Sequence, residues 1–147
     1  MIENKFKTNN KLFVYGTLMS GFDNPYALQL HRSVGKVVKA SIKGELYIVS
    51  NWHFEYPLAV FNEQSQFEIK GEVLEIENNL EELLEVLDKY EGIESVNPDA
   101  GEYVRAEIPV STENGIEICW AYINNKPFEG LSRLDGGDFR AYLKNKI

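Results

Sequence analysis

Residues 11–21 read KLFVYGTLMSG. The hydrophobic run Leu12-Phe13-Val14-Tyr15 breaks at Gly16 and is followed by Thr17-Leu18-Met19-Ser20-Gly21. A strand therefore ends in a glycine turn flanked by small polar residues, where an ordinary hairpin more often carries Asn-Gly or Asp-Gly. Two readings of Gly16 are open. It is a plain turn residue, or it leaves the backbone bare for the close approach of another group.

Outward from this first strand, Leu12–Tyr15, β-branched and aromatic enrichment with period-two alternation predicts strands at Val34–Val38, Ile42–Val49, Leu58–Phe61, Phe67–Ile76, Tyr103–Val110 and Ile116–Ile123. In YVRAEIPV, Val104, Ala106, Ile108 and Val110 share one face, while Tyr103, Arg105 and Glu107 form a polar and aromatic second face. The clearest helix is NNLEELLEVLDKYEG, with Leu80, Leu83, Leu84, Leu87 and Tyr90 on one stripe. Asn78 or Asn79 is placed to cap its start and Gly92 to end it. Shorter helices are expected at Pro25–Leu30 and at Phe139–Lys144, the latter capped by Asp138. Many short strands and one strong helix predict an α+β fold built on a small, twisted, mixed β-barrel with flanking helices, because a strongly twisted sheet tends to close on itself.

The bulk composition bounds the function. The 147 residues suit one domain over 1–147, with residues 1–10 as a flexible N-terminal extension. Fifteen Lys and Arg against 23 Asp and Glu give a net charge of -8, which repels phosphate backbones and anionic lipid, so neither nucleic acid nor a membrane is expected as a partner. The polar start MIENKFKTNN lacks the apolar stretch of a signal peptide, and no run approaches a membrane span. The expected location is the cytoplasm. The one cysteine, Cys119, lies in the strand-like run IEICWAYI and reads as a buried, inert thiol.

Glu91 breaks a local rule. The helix ends as Leu87-Asp88-Lys89-Tyr90-Glu91-Gly92, placing a carboxylate at the negative pole of the macrodipole. Rule-breaking residues are enriched at functional sites, and a partly dry setting would further favour the protonated form, which suits a group that both takes and gives a proton. The other reading is a solvated glutamate on an acidic helix. His31 and His53 have no HExxH or CxxC companion, so no metal is expected. No G-x-S-x-G elbow or phosphate loop is present.

Taken in order, Tyr15-Gly16-Thr17-Leu18, Tyr56-Pro57-Leu58, Leu87-Asp88-Lys89-Tyr90-Glu91-Gly92 and Tyr103-Val104-Arg105 resemble the gamma-glutamylcyclotransferase-like family, closest to its gamma-glutamylamine cyclotransferase branch. Trp120-Ala121-Tyr122 and Gly137-Asp138-Phe139 look like the family's last strand and closing turn. The resemblance implies a barrel with a cavity at its mouth, where a gamma-glutamyl group leaves as 5-oxoproline without a cofactor. It places Tyr15, Gly16, Thr17 and Leu18 at the substrate, the last three as a nest of backbone N–H groups for an anionic end. It makes Glu91 the catalytic acid and base, and it puts Tyr103, Arg105 and Tyr122 near the substrate. For Arg105 a structural ion pair with Asp88 or a neighbour is at least an equal alternative, and for Tyr122 a place in the core. The connection GIESVNPDAGE, residues 92–102, is expected to shape the choice of leaving group. The competing functional reading is a binding module that holds a small molecule in the same barrel without turning it over.

Overall fold

The run that opens at Lys11 forms strand β1 (Lys11–Val14). The computed structural model describes residues 9–50, 55–93, 103–125 and 127–145. Among them the chain continues through α1 (Pro25–His31), β2 (Val34–Ser50), β3 (Glu55–Phe61), β4 (Glu68–Ile76), α2 (Leu80–Tyr90), β5 (Tyr103–Thr112), β6 (Gly115–Asn124), β7 (Ser132–Leu134) and α3 (Phe139–Lys144). No helix among the described residues is long and apolar enough to cross a membrane.

β1 lies antiparallel to β4, with Phe13 opposite Val73, and parallel to β6, with Phe13 opposite Ala121. The sheet runs β2-β4-β1-β6-β5 and returns to β2 through Ala40↔Thr112 and Ser41↔Ser111. This pairing closes a five-stranded mixed barrel, so the expected α+β barrel is the observed fold. β2 then leaves the barrel and carries β3 on one side and β7 on the other.

The two strands expected at 34–38 and 42–49 are one continuous strand. The change of partner falls at Gly44, where β4 gives way to β3 and a Cβ would sit 2.2 Å from the Val60 carbonyl oxygen. Only glycine lets the strand bend there without breaking. β7 was not expected, and Trp120-Ala121-Tyr122 therefore lies in the penultimate strand of the described chain.

Alternation along β1 feeds two cores. Phe13 joins Ile42, Ile69, Val73, Ile108, Val110 and Cys119 inside the barrel, where Phe139 of α3 is also fully buried. Leu12 and Val14 point outward, into a second core with Leu74, Ile76, Tyr103 and Tyr122 beneath Leu83 and Leu87 of α2. The α2 stripe is shorter than its spacing suggests, since Tyr90 is 39% exposed and stacks on Tyr26 at 4.2 Å. Asn79 occupies the cap position of α2 with φ 58°, yet its side chain makes no capping bond. Gly92, at φ 76°, does end the helix: its N–H donates to the Lys89 carbonyl at 3.2 Å, and that of Ile93 to Asp88 at 2.9 Å. Asn24 caps α1 through the Ala27 N–H, and Asp138 caps α3 through that of Ala141.

Residues 1–8 of the expected N-terminal extension lie outside the described residues. Asn9 and Asn10 do not belong to a free extension. The Asn9 carbonyl accepts from Trp120 Nε1 at 2.9 Å, and the Asn10 carbonyl accepts from the Ile76 N–H at 2.9 Å.

Candidate functional site

The loop that follows β1 has an uneven hydrogen-bond account. The Gly16 carbonyl accepts from the Met19 N–H at 3.1 Å, that of Thr17 from Asn24 Nδ2 at 2.9 Å, and that of Leu18 meets His31 Nε2 at 2.8 Å. The Met19 carbonyl accepts from the Phe22 N–H at 3.4 Å, and that of Ser20 from Arg140. Every carbonyl from residue 16 to residue 20 is thus taken. The N–H groups of Met19 and Ser20 are also spent, the second on Glu72 Oε1 at 2.7 Å. Among the described residues, the N–H groups of Gly16, Thr17 and Leu18 have no such partner. These three residues line a cavity of about 360 Å³. Backbone donors are obligatory hydrogen-bonding groups, and successive N–H groups at a turn form an anion-binding concavity.

Gly16 itself does not adopt a left-handed conformation. A Cβ on it would lie 2.7 Å from Cγ of Pro57, so the bare backbone makes room for that ring at the junction of β1 and β3. Close approach, not a special φ, explains the glycine.

The remaining walls come from four elements. The end of α2 supplies Tyr90 and the half-buried Glu91, β3 supplies Tyr56 and Pro57, β5 Tyr103 and β6 Tyr122. Among the described lining residues Glu91 is the one carboxylate, and none is Lys, Arg or His. Three phenols face the cavity with their protons directed into the protein. Tyr15 donates to the Tyr122 carbonyl, Tyr103 to that of Pro57 at 2.8 Å, and Tyr122 to Asp88 Oδ1 at 2.7 Å. Burial, and then the charge of Glu91, hold the Tyr15 phenol well above its ordinary range. Burial and the Asp88 hydrogen bond raise Tyr122 in the same direction. These two phenols remain protonated at neutral pH and offer no base.

The structure therefore brings Glu91, Tyr15, Gly16, Thr17, Leu18, Tyr103 and Tyr122 to one cavity and leaves Arg105 out of its lining. Arg105 forks onto Asp88, Nε to Oδ1 at 2.8 Å and Nη2 to Oδ2 at 3.2 Å, and lies over the Trp120 ring at 4.5 Å. Its ion-pair reading is the one realised. Tyr56, Pro57 and Tyr90 line the cavity without having been singled out for it. A proline within a strand-like run was the available signal for Pro57, since it removes a ladder donor. Residues 94–102 of the connection after Glu91, and His53, lie outside the described residues. No cluster of His, Cys, Asp or Glu that could hold a metal occurs among the described residues.

The family model for gamma-glutamyl cyclotransferase, AIG2-like, proteins matches residues 12–141. The chain belongs to this family. Gamma-glutamyl cyclotransferase-type activity on a small gamma-glutamyl molecule is the chemistry that membership points to. Among solved structures, the family member described here is similar to YkqA from Bacillus subtilis, with 27% identity and a TM-score of 0.66 over 95% of this chain. It spans only 44% of the length of that protein. An AIG2-like protein from Mus musculus matches with 19% identity and a TM-score of 0.63, covering 88% of each chain, a likeness of fold. The Escherichia coli protein ytfP matches with 26% identity and a TM-score of 0.54, over 87% of this chain and 94% of its own. No match is found among curated proteins.

Proposed function

We propose that this gamma-glutamyl cyclotransferase, AIG2-like, protein releases 5-oxoproline and a free amine from a gamma-glutamylamine. The observation that carries the reading is the meeting, on one cavity, of three amides without partners among the described residues and one carboxylate. The Gly16, Thr17 and Leu18 amides hold the substrate's α-carboxylate. This leaves the α-amine and the scissile γ-amide to Glu91.

The α-nitrogen attacks the γ-carbonyl carbon and forms the new C–N bond of a five-membered ring. The bond to the departing amine then breaks. Glu91 takes the proton that the α-amine must lose and returns one to the departing nitrogen, so no water is consumed. Because the attack is intramolecular, the cavity's main contribution is to fold the substrate into reacting geometry. A carboxylate close to the scissile bond, as on a gamma-glutamyl dipeptide, meets no cation in the described lining. A gamma-glutamylamine places none there.

The test is incubation with gamma-glutamyl-ε-lysine, a panel of gamma-glutamyl dipeptides and glutathione, with 5-oxoproline followed by mass spectrometry. The expected result is release from the gamma-glutamylamine in preference to the dipeptides. Absence of 5-oxoproline from every substrate would leave a binding module on the same barrel.

A further inference from the structure

The loop that presents the three amides is held by residues outside the cavity. Glu72, on the outward face of β4, is a charged residue buried to 7% exposure in a position where Leu74 and Ile76 are apolar. Its two oxygens take the Ser20 N–H at 2.7 Å and the Ser20 hydroxyl at 2.6 Å. Arg140 of α3 completes the arrangement. One guanidinium nitrogen lies 3.6 Å from Glu72 Oε2, the other donates to the Ser20 carbonyl, and the group sits 5.7 Å over the Phe22 ring. The N–H, the hydroxyl proton and the carbonyl of Ser20 are thereby all engaged. The base of α3 is itself fixed to β4, because the Gly137 carbonyl accepts the Lys70 N–H at 2.7 Å and a Cβ on Gly137 would overlap the Glu68 carbonyl at 1.9 Å.

We propose that Arg140 and Glu72 are positioning residues that keep loop 16–20 in its amide-presenting shape. The inference rests on the reading that these amides hold the substrate's carboxylate. A backbone nest binds an anion only when its N–H groups are already convergent. A loop carbonyl left without a partner would compete with the anion for these N–H groups. Side chains from beyond the loop occupy the Thr17, Leu18 and Ser20 carbonyls and so remove that alternative at those three positions. Arg140 and Glu72 grip the far end of the loop, while Asn24 and His31 cap Thr17 and Leu18.

The experiment compares L-5-oxoproline with pyrrolidinone, which has the same ring without the carboxylate, in the wild type, Arg140→Met and Glu72→Gln. Binding is read from ¹⁵N amide shifts and steady-state KM and kcat from the gamma-glutamylamine assay. In the wild type, 5-oxoproline should shift Gly16, Thr17 and Leu18 and bind more tightly than pyrrolidinone. In Arg140→Met, 5-oxoproline affinity should fall by about tenfold or more while pyrrolidinone binding holds, and KM should rise more than kcat falls. Glu72→Gln, which keeps the shape but loses the charge, should fall between the two. If the wild type shows neither the shifts nor the carboxylate preference, the amide reading itself is wrong. If the wild type shows both and a folded Arg140→Met keeps the same preference and KM, the positioning role is overturned. Arg140 is 37% exposed on its side chain, so replacement is compatible with folding; Arg140→Lys, which keeps charge without the fork, gives the same readout in a closer isostere.

Discussion

Gly16 was visible in the sequence as a break in a hydrophobic run, but its reason was not, because the group that needs the space is Pro57 on another strand. A Gly16→Val variant should lose activity beyond what its lower melting temperature explains. The added carbons push Pro57 and the adjacent amides apart at the cavity wall. Normal turnover in a folded variant would reduce Gly16 to a turn residue. Glu91 was readable for the opposite reason, since a carboxylate at a helix C-terminus violates a purely local preference. Glu91→Gln keeps the shape but cannot take a proton, so turnover should fall by about 10²–10⁴-fold with folding retained. Retention of most of the 5-oxoproline release would remove Glu91 from the mechanism.

At the scale of elements, local signals were legible and pairing signals were not. Asp138 and Gly92 act within a few residues of themselves, and each does what its position predicts, whereas Asn79 takes the cap position of α2 without making the capping bond. β7 is three residues, Ser132–Leu134, and becomes a strand only because β2 runs past it. The tie between α2 and the barrel is likewise non-local: Asp88 receives Arg105 of β5 and Tyr122 of β6. Both partners of the ion pair are about three-quarters buried, at 23% and 25% side-chain exposure. Arg105→Met should cost about 1–3 kcal/mol in denaturant unfolding, because it removes the charge that pairs Asp88 and leaves its carboxylate only the Tyr122 hydroxyl among the bonds described. The double variant Arg105→Met with Asp88→Asn should cost less than the sum of the two single variants. KM should move little in Arg105→Met, since the residue is absent from the cavity lining. A large KM effect with unchanged stability would make Arg105 a substrate contact.

For the molecule as a whole, the strands of a barrel could be read one by one, whereas its closure joins residues that no local pattern connects, Ala40 to Thr112 and Phe13 to Ala121. Closure has an electrostatic consequence at alkaline pH. Cys119 is fully buried in the barrel core, and its thiol is pushed up from 9.0 to about 11, by burial first and by the charge of Glu117 next, with Lys11 opposing. The folded pKa thus lies above the unfolded one. Between those values the unfolded chain sheds a proton that the folded barrel retains, so this contribution to stability is intact below about pH 9 and is lost as the pH rises toward about 11. The buried Tyr15 phenol acts in the same direction at higher pH. Melting temperatures followed from about pH 8 upward should decline in the wild type, and more shallowly in Cys119→Ala, which lacks the thiol but keeps every other titrating group. The substitution lowers the whole curve through the cavity it leaves, so the comparison lies in the slopes. Parallel slopes would mean that the thiol ionises as readily inside the barrel as outside it.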